Sequence, residues 1–316
     1  SRRRHTRLAA VSWARRCVQE TGNEDNVFFA YSEFSYNTLV GAYEPFLDII
    51  CNMHRRFIGG SFDDFQKECG VYYLHRQVLN SYYETGECFR EETVLLNEVA
   101  YEQRRMTMAI VDMLKRLSEV RPLMIVINRF QMASKSSIET IKYLIDNPCT
   151  NIGIVLGVNA LVRGTDSTVE VWDRIVESLE DRSAIYYIGS AGQLKNQIRD
   201  TSDDELYITT NFEQSIQEAS NIMEFLDYEQ ARRGCRIIEH KIKFEDAWID
   251  EKSLRRFYLV YARTSVLLGE MSKAIELMNE YKSLIPENDS EHYFSLYYFM
   301  KGTCYMSVSY THLRAH

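Results

Sequence analysis

Five apolar residues, Leu123 to Ile127, run into Asn128-Arg129 and then Phe130-Gln131, and this junction could do chemistry. Such a run reads as a buried strand that carries side chains to a nucleotide pocket. Acidic side chains at its end would orient Mg²⁺ and the water that attacks a phosphate. Asn128 accepts a hydrogen bond but brings no charge. Replacing a charge-assisted hydrogen bond by a neutral one costs about 1–2 kcal/mol in binding. Arg129 has the wrong sign for a metal site; it either contacts a phosphate directly or faces solvent. Efficient Mg-ATP hydrolysis is not expected.

Other chemistries have weaker support. A Gly-rich loop ending in Gly-Lys-Ser/Thr, whose amides would cradle phosphates, is missing from the sequence. His54 and His75 have no carboxylate or Cys at metal-ligand spacing and read as structural or exposed. "FDDF" (62–65) places two carboxylates together, but on an expected loop with no partner base, so a helix cap or solvated turn is the reading. Gly59-Gly60 lack a following Lys and a preceding strand. No Ser/His/Asp arrangement can be assembled. "HRRF", "EQRR" and "ARRG" read as solvated helix faces.

The elements that must position these residues belong to a chain of 316 residues, long enough for two cores. Its net charge of −8 argues against a general nucleic-acid or lipid-surface binder. No apolar run approaches the roughly eighteen residues of a membrane span. The seven scattered cysteines, with no C-x-x-C, read as reduced thiols and a cytoplasmic setting. The final "VSYTHLRAH" resembles a translated sequencing-library adapter. Residues 307–316 are therefore expected to be foreign, and the natural protein longer.

"NVFFAYSEF" (26–34) reads as a strand, and Tyr43 to Phe57 as a helix with Phe46, Ile49, Ile50 and Met53 inward and Pro45 in its first turn. Glu91 to Glu119 reads as a helix burying Met106, Ile110, Leu114 and Leu117, ended by Pro122. "LMIVI" follows as a strand. "SSIETIKYLI" (136–145) follows as a helix with a capping box at Ser136 and Glu139. "NIGIVLGVN" (151–159) is read as a second buried strand, Val169–Leu179 as a helix and "AIYYIGS" (184–190) as a third strand. Strands alternating with helices imply a parallel sheet covered by helices.

Beyond residue 205 the pattern is helical and repetitive. Ala219 and Ala231 stand twelve apart, as do Ala262 and Ala274, where paired helices would approach closely. Gly302 is the expected close-approach residue of a third unit. The spacing is about 40 to 43 residues, longer than the 34 of a tetratricopeptide repeat. A non-repeating helical bundle is the competing reading.

Phe130-Gln131-Met132-Ala133 with Ser136 or Ser137, "YNTLVGAYEPFLDII" and "NIGIVLGVNA" occur in the order found in AAA-like signal-transduction ATPases (the STAND group), which the first 200 residues resemble. The resemblance implies a P-loop-NTPase-like α/β domain over 1–200, followed by tetratricopeptide-like repeats over 206–306. It implies ATP and Mg²⁺ as cofactors, with Asn128, Arg129, Gln131 and Asn159 near the phosphates. Arg4-His5-Thr6-Arg7-Leu8 would then stand where the family has Gly-Lys-Thr-Arg-Leu. Thr6 would be the magnesium-binding hydroxyl and Arg7 the helix start, with His5 in place of the Lys. A truncated or frame-damaged phosphate loop, a decayed site and chance similarity all account for it. The function implied is a regulatory fragment of a bacterial signalling protein. Its nucleotide domain would gate an effector outside this sequence, such as a diguanylate or adenylate cyclase or a DNA-binding regulator, while the repeats receive a protein or ligand. The other reading is a non-catalytic interaction scaffold. Homo-oligomerisation is left open, and neither a membrane nor a direct nucleic-acid partner is expected.

Overall fold

The computed structural model of the chain describes residues 27–34, 39–90, 98–158, 175–176, 211–244, 249–286 and 290–314, without the side chains of 290–291 and 306–314. The expected helix Val169–Leu179 (apart from 175–176), the expected strand 184–190, and Thr6, Arg7 and Asn159 lie outside the described residues. Two compact units divide the chain. The first comprises 1–35, 43–76 and 105–200; the second comprises 36–42, 77–104 and 201–316. The helical unit thus takes in two segments from the first third of the sequence.

In the first unit three strands, β1 (Phe28–Glu33), β2 (Leu123–Asn128) and β3 (Ile152–Gly157), form a parallel sheet in the order β1-β2-β3. β2 is central, and Ile125 and Ile127 are fully buried, as its unbroken apolar run requires. β3 was expected to be equally buried, yet it is half-buried along its length.

Helix α1 (Phe46–Met53) buries Phe46, Ile49, Ile50 and Met53 as their spacing predicts. It ends earlier than expected, in a π-helical turn His54–Ile58 closed by the Gly59 N–H donating to the His54 carbonyl. Pro45 stands one residue before the helix rather than inside it. The "FDDF" segment is not a loop but the start of α2 (Phe62–Glu68), because Ser61 caps it by accepting from the Asp64 N–H at 3.2 Å. Asp63 and Asp64 face the positive end of the helix dipole and pair with Lys67 at 2.6 and 2.9 Å. His54 is fully buried against the rings of Phe62 and Phe65, at 5.0 and 5.1 Å.

Two further helices are α3 (Tyr73–Thr85) and α4 (Val99–Val120). Met106, Ile110, Leu114 and Leu117 of α4 are all completely buried. Helix α5 (Lys135–Asp146) follows β2, but its cap is Ser134, whose Oγ accepts from the Ser137 N–H. Ser136, expected to be the cap, is already inside the helix.

In the second unit α6 (Phe212–Glu224), α7 (Tyr228–Phe244), α8 (Glu251–Leu267) and α9 (Met271–Ser283) make two successive hairpins, and α10 (Ser290–Arg314) follows. The two hairpin turns repeat hydrogen bond for hydrogen bond. Phe225, Leu226 and Asp227 N–H donate to the carbonyls of Asn221, Met223 and Ile222; Leu268, Gly269 and Glu270 donate to Thr264, Val266 and Ser265. Each donor and acceptor recurs 43 residues on. Leu226 and Gly269 both take a left-handed conformation, with φ 69° and 78°. Ala219, Ala231, Ala262 and Ala274 are buried to 1 % exposure or less. The expected close approach at Gly302 is not observed: a Cβ there meets no described atom within 4 Å. A close approach that periodicity did not reveal occurs at Gly234, where a Cβ would lie 2.7 Å from Leu39 Cδ2.

The early segments are held in this unit by amide side chains. Asn221 accepts from the Cys88 N–H at 2.8 Å and donates to the Gly86 carbonyl at 2.9 Å. Gln230 donates to the Val40 carbonyl at 3.1 Å. No described helix is long and apolar enough to cross a membrane.

Candidate functional site at the strand ends

The parallel register aligns Glu33, Asn128 and Gly157 at the carboxyl ends of β1, β2 and β3. Ligands of open α/β sheets bind outside these ends. Gly157 leaves room there for the Asn128 side chain: a Cβ would stand 2.8 Å from Asn128 Oδ1. The Asn128 amide therefore lies over β3. Its Oδ1 accepts from the Arg129 N–H at 3.0 Å.

That bond helps hold Arg129 in the left-handed region, with φ 56° and ψ 40°. The turn sends its guanidinium back across β1. Nη2 lies 3.2 Å from Glu33 Oε1, and Nη1 donates to the Phe34 carbonyl at 3.3 Å. Tyr31 Oη donates to Glu33 Oε2 at 3.1 Å. Arg129 is thus paired rather than simply solvated; its charge is answered by a carboxylate 96 positions earlier. The sequence signal was available in Glu33, the last residue of an expected strand, but the pairing needs the register.

The chain then makes a short 3₁₀ turn, Phe130–Met132, in which Phe130 is fully buried and Gln131 is 5 % exposed. Phe130 packs on Phe34 with ring centroids 6.4 Å apart. Behind the turn Ser134 Oγ lies 3.0 Å from Ser136 Oγ and 2.9 Å from Ser137 Oγ. Ser136 Oγ accepts from the Tyr43 N–H at 3.1 Å. These serines fix the start of α5 to the turn before α1. The structure therefore brings Asn128, Arg129 and Gln131 together on one turn, and Glu33 and Gly157 complete the set.

The donor set does not fit Mg²⁺, which takes hard, anionic oxygens in octahedral array. The carboxylate at these ends faces a guanidinium, and the Asn128 oxygen accepts a backbone N–H. Among the described residues no group of three or more His, Cys, Asp or Glu is placed to hold a metal ion.

The hairpin stack carries a shallow depression of about 740 Å³ lined by Arg236, Glu239, Tyr261, Glu270 and Lys273 among others. Lys273 pairs with Glu239 at 2.9 Å, and Arg232 with Glu270 at 2.5 Å. Burial pushes the Tyr261 hydroxyl up to about 12. The ion pairs and the protonated phenol make a polar, charge-balanced surface. No family model matches the chain, and no curated protein or solved structure does either.

Proposed function

We propose that this chain is a regulatory module that acts by binding, in which the α/β unit performs no efficient ATP hydrolysis and the helical-hairpin stack receives a protein partner. One observation carries the reading: the Arg129–Glu33 ion pair occupies the strand ends where a metal-bound nucleotide would react. The duplicated hairpin turns support the second half, because stacked helical hairpins build extended faces suited to proteins or peptides. Thermal unfolding with Mg-ATP tests it. A nucleotide at a hundred times its Kd would add about 2.7 kcal/mol, so an unmoved Tm is expected and a clear rise overturns the scaffold reading.

A second reading, a degenerate nucleotide-binding domain gating an effector such as a diguanylate cyclase, has one observation in its favour. A guanidinium stands at the carboxyl ends of a parallel sheet, the edge at which such sheets bind ligands. It expects stabilisation by ATP without magnesium that is lost in Arg129→Ala. The effector in that reading rests on the family resemblance alone.

A further inference from the structure

Helix α10 repeats one side of α8 and leaves the other side uncovered among the described residues. Its buried residues Tyr297, Met300 and Cys304 follow Phe257, Val260 and Thr264 of α8, also buried, at a constant offset of 40. At the same offset Ala262 and Ser265, both completely buried, become Gly302 and Tyr305. Here the two helices part. Tyr305 is 54 % exposed, Tyr298 is 63 % exposed, and the space around Gly302 is open among the described residues.

On α8 the corresponding face belongs to α9, its most extensive neighbour. Ala262 and Ala274 each lie six residues from Leu268 at the turn, so an antiparallel hairpin brings them opposite one another. Tyr298, Gly302 and Tyr305, at steps of four and three, form one stripe along α10. Phe294 extends it, stacked on Tyr298 with ring centroids 6.2 Å apart. Single exposed aromatics are ordinary, but a continuous stripe beside a packed one marks a helix built to lie between neighbours.

We infer that this stripe docks one amphipathic helix, antiparallel to α10, in the position that α9 takes on α8. The α8–α9 interface states the chemistry of the occupant. A small residue must face Gly302 so that the backbones approach, flanked at helical spacing by large apolar residues, as Leu277, Met278 and Tyr281 flank Ala274. The inference rests on the stack being a partner-binding unit, whose own failure is read separately in the Mg-ATP experiment.

The probe is a fluorescein-labelled peptide of residues 269–286, titrated with the full chain and followed by anisotropy. Saturable binding is expected, weakened about tenfold or more by Tyr298→Glu, Tyr305→Glu and Gly302→Leu. Gly302→Ala and Lys252→Glu should leave it unchanged, with far-UV circular dichroism confirming that each variant is folded. No saturation, or equal affinity in Tyr298→Glu, overturns the inference. So does a dimer in sedimentation that Tyr298→Glu dissolves, since a second copy would then be the occupant.

Discussion

The Arg129 guanidinium and the Glu33 carboxylate meet at 3.2 Å across the ends of two neighbouring parallel strands. Both side chains are 24 % exposed, so the pair is screened by water only in part. A double-mutant cycle with Glu33→Gln and Arg129→Met should return a coupling of about 1 kcal/mol in urea unfolding. A coupling of zero would remove the pair as the feature that closes the strand ends.

Gly157→Ala should cost about 1–3 kcal/mol, because the new methyl meets Asn128 Oδ1 at 2.8 Å. Asn128→Ala deletes the obstructing atom. The double variant should therefore be more stable than the two single losses added together. Strict additivity in thermal unfolding would show that Asn128 does not lie over β3.

The alanines of the hairpin crossings make a third case. Ala262→Leu or Ala274→Leu should destabilise by about 1–3 kcal/mol each, since both sites are fully buried. Gly302→Ala, on an open helix face, should instead stabilise by up to about 1 kcal/mol. Equal effects at Gly302 and Ala262 would mean that the two helices are covered alike.

His54 supplies a pH dependence. Burial, aided by the charge of Arg55, pulls its pKa below the ordinary 6.5. The folded state thus binds fewer protons than the unfolded chain once pH drops below 6.5. The contribution is whole above that value and is lost as pH falls towards the lowered one. Urea midpoints should decline from pH 8 to pH 5.5 in the native sequence and decline less in His54→Phe. The same slope in both would acquit His54.

Much of the scaffold could be read from residues alone. The three described strands and α4 declare themselves because their apolar runs and three- and four-residue steps are local. What escaped reading depends on partners far away. Arg129 looked misplaced until the register set Glu33 beside it. Residues 39–42 and 86–90 join the helical unit through Gln230 and Asn221, whose amides satisfy backbone groups more than a hundred positions earlier. Helix α3 is weakly patterned, with Val78 and Leu79 as its most buried apolar residues, and its spacing does not announce a helix. "FDDF" reads equally as a helix cap or a solvated turn, because paired aspartates suit both, and the Ser61 cap decides for the helix start. Gly302 repeats the small residue of the hairpin crossings, but a sequence pattern does not say whether a second helix lies opposite it, and none does among the described residues.

The matching turns at Phe225–Asp227 and Leu268–Glu270 make the stack's length separable from its cross-section. A copy of residues 226–268 inserted after Leu268 would meet the same hydrogen-bonding pattern at both junctions and add one hairpin without a seam. The contacts of Asn221, Gln230 and Gly234 would be untouched. Helical signal should grow in proportion, and unfolding should stay a single transition with a steeper denaturant slope. The protein thus carries its own unit of growth, a 43-residue segment bounded by matching turns.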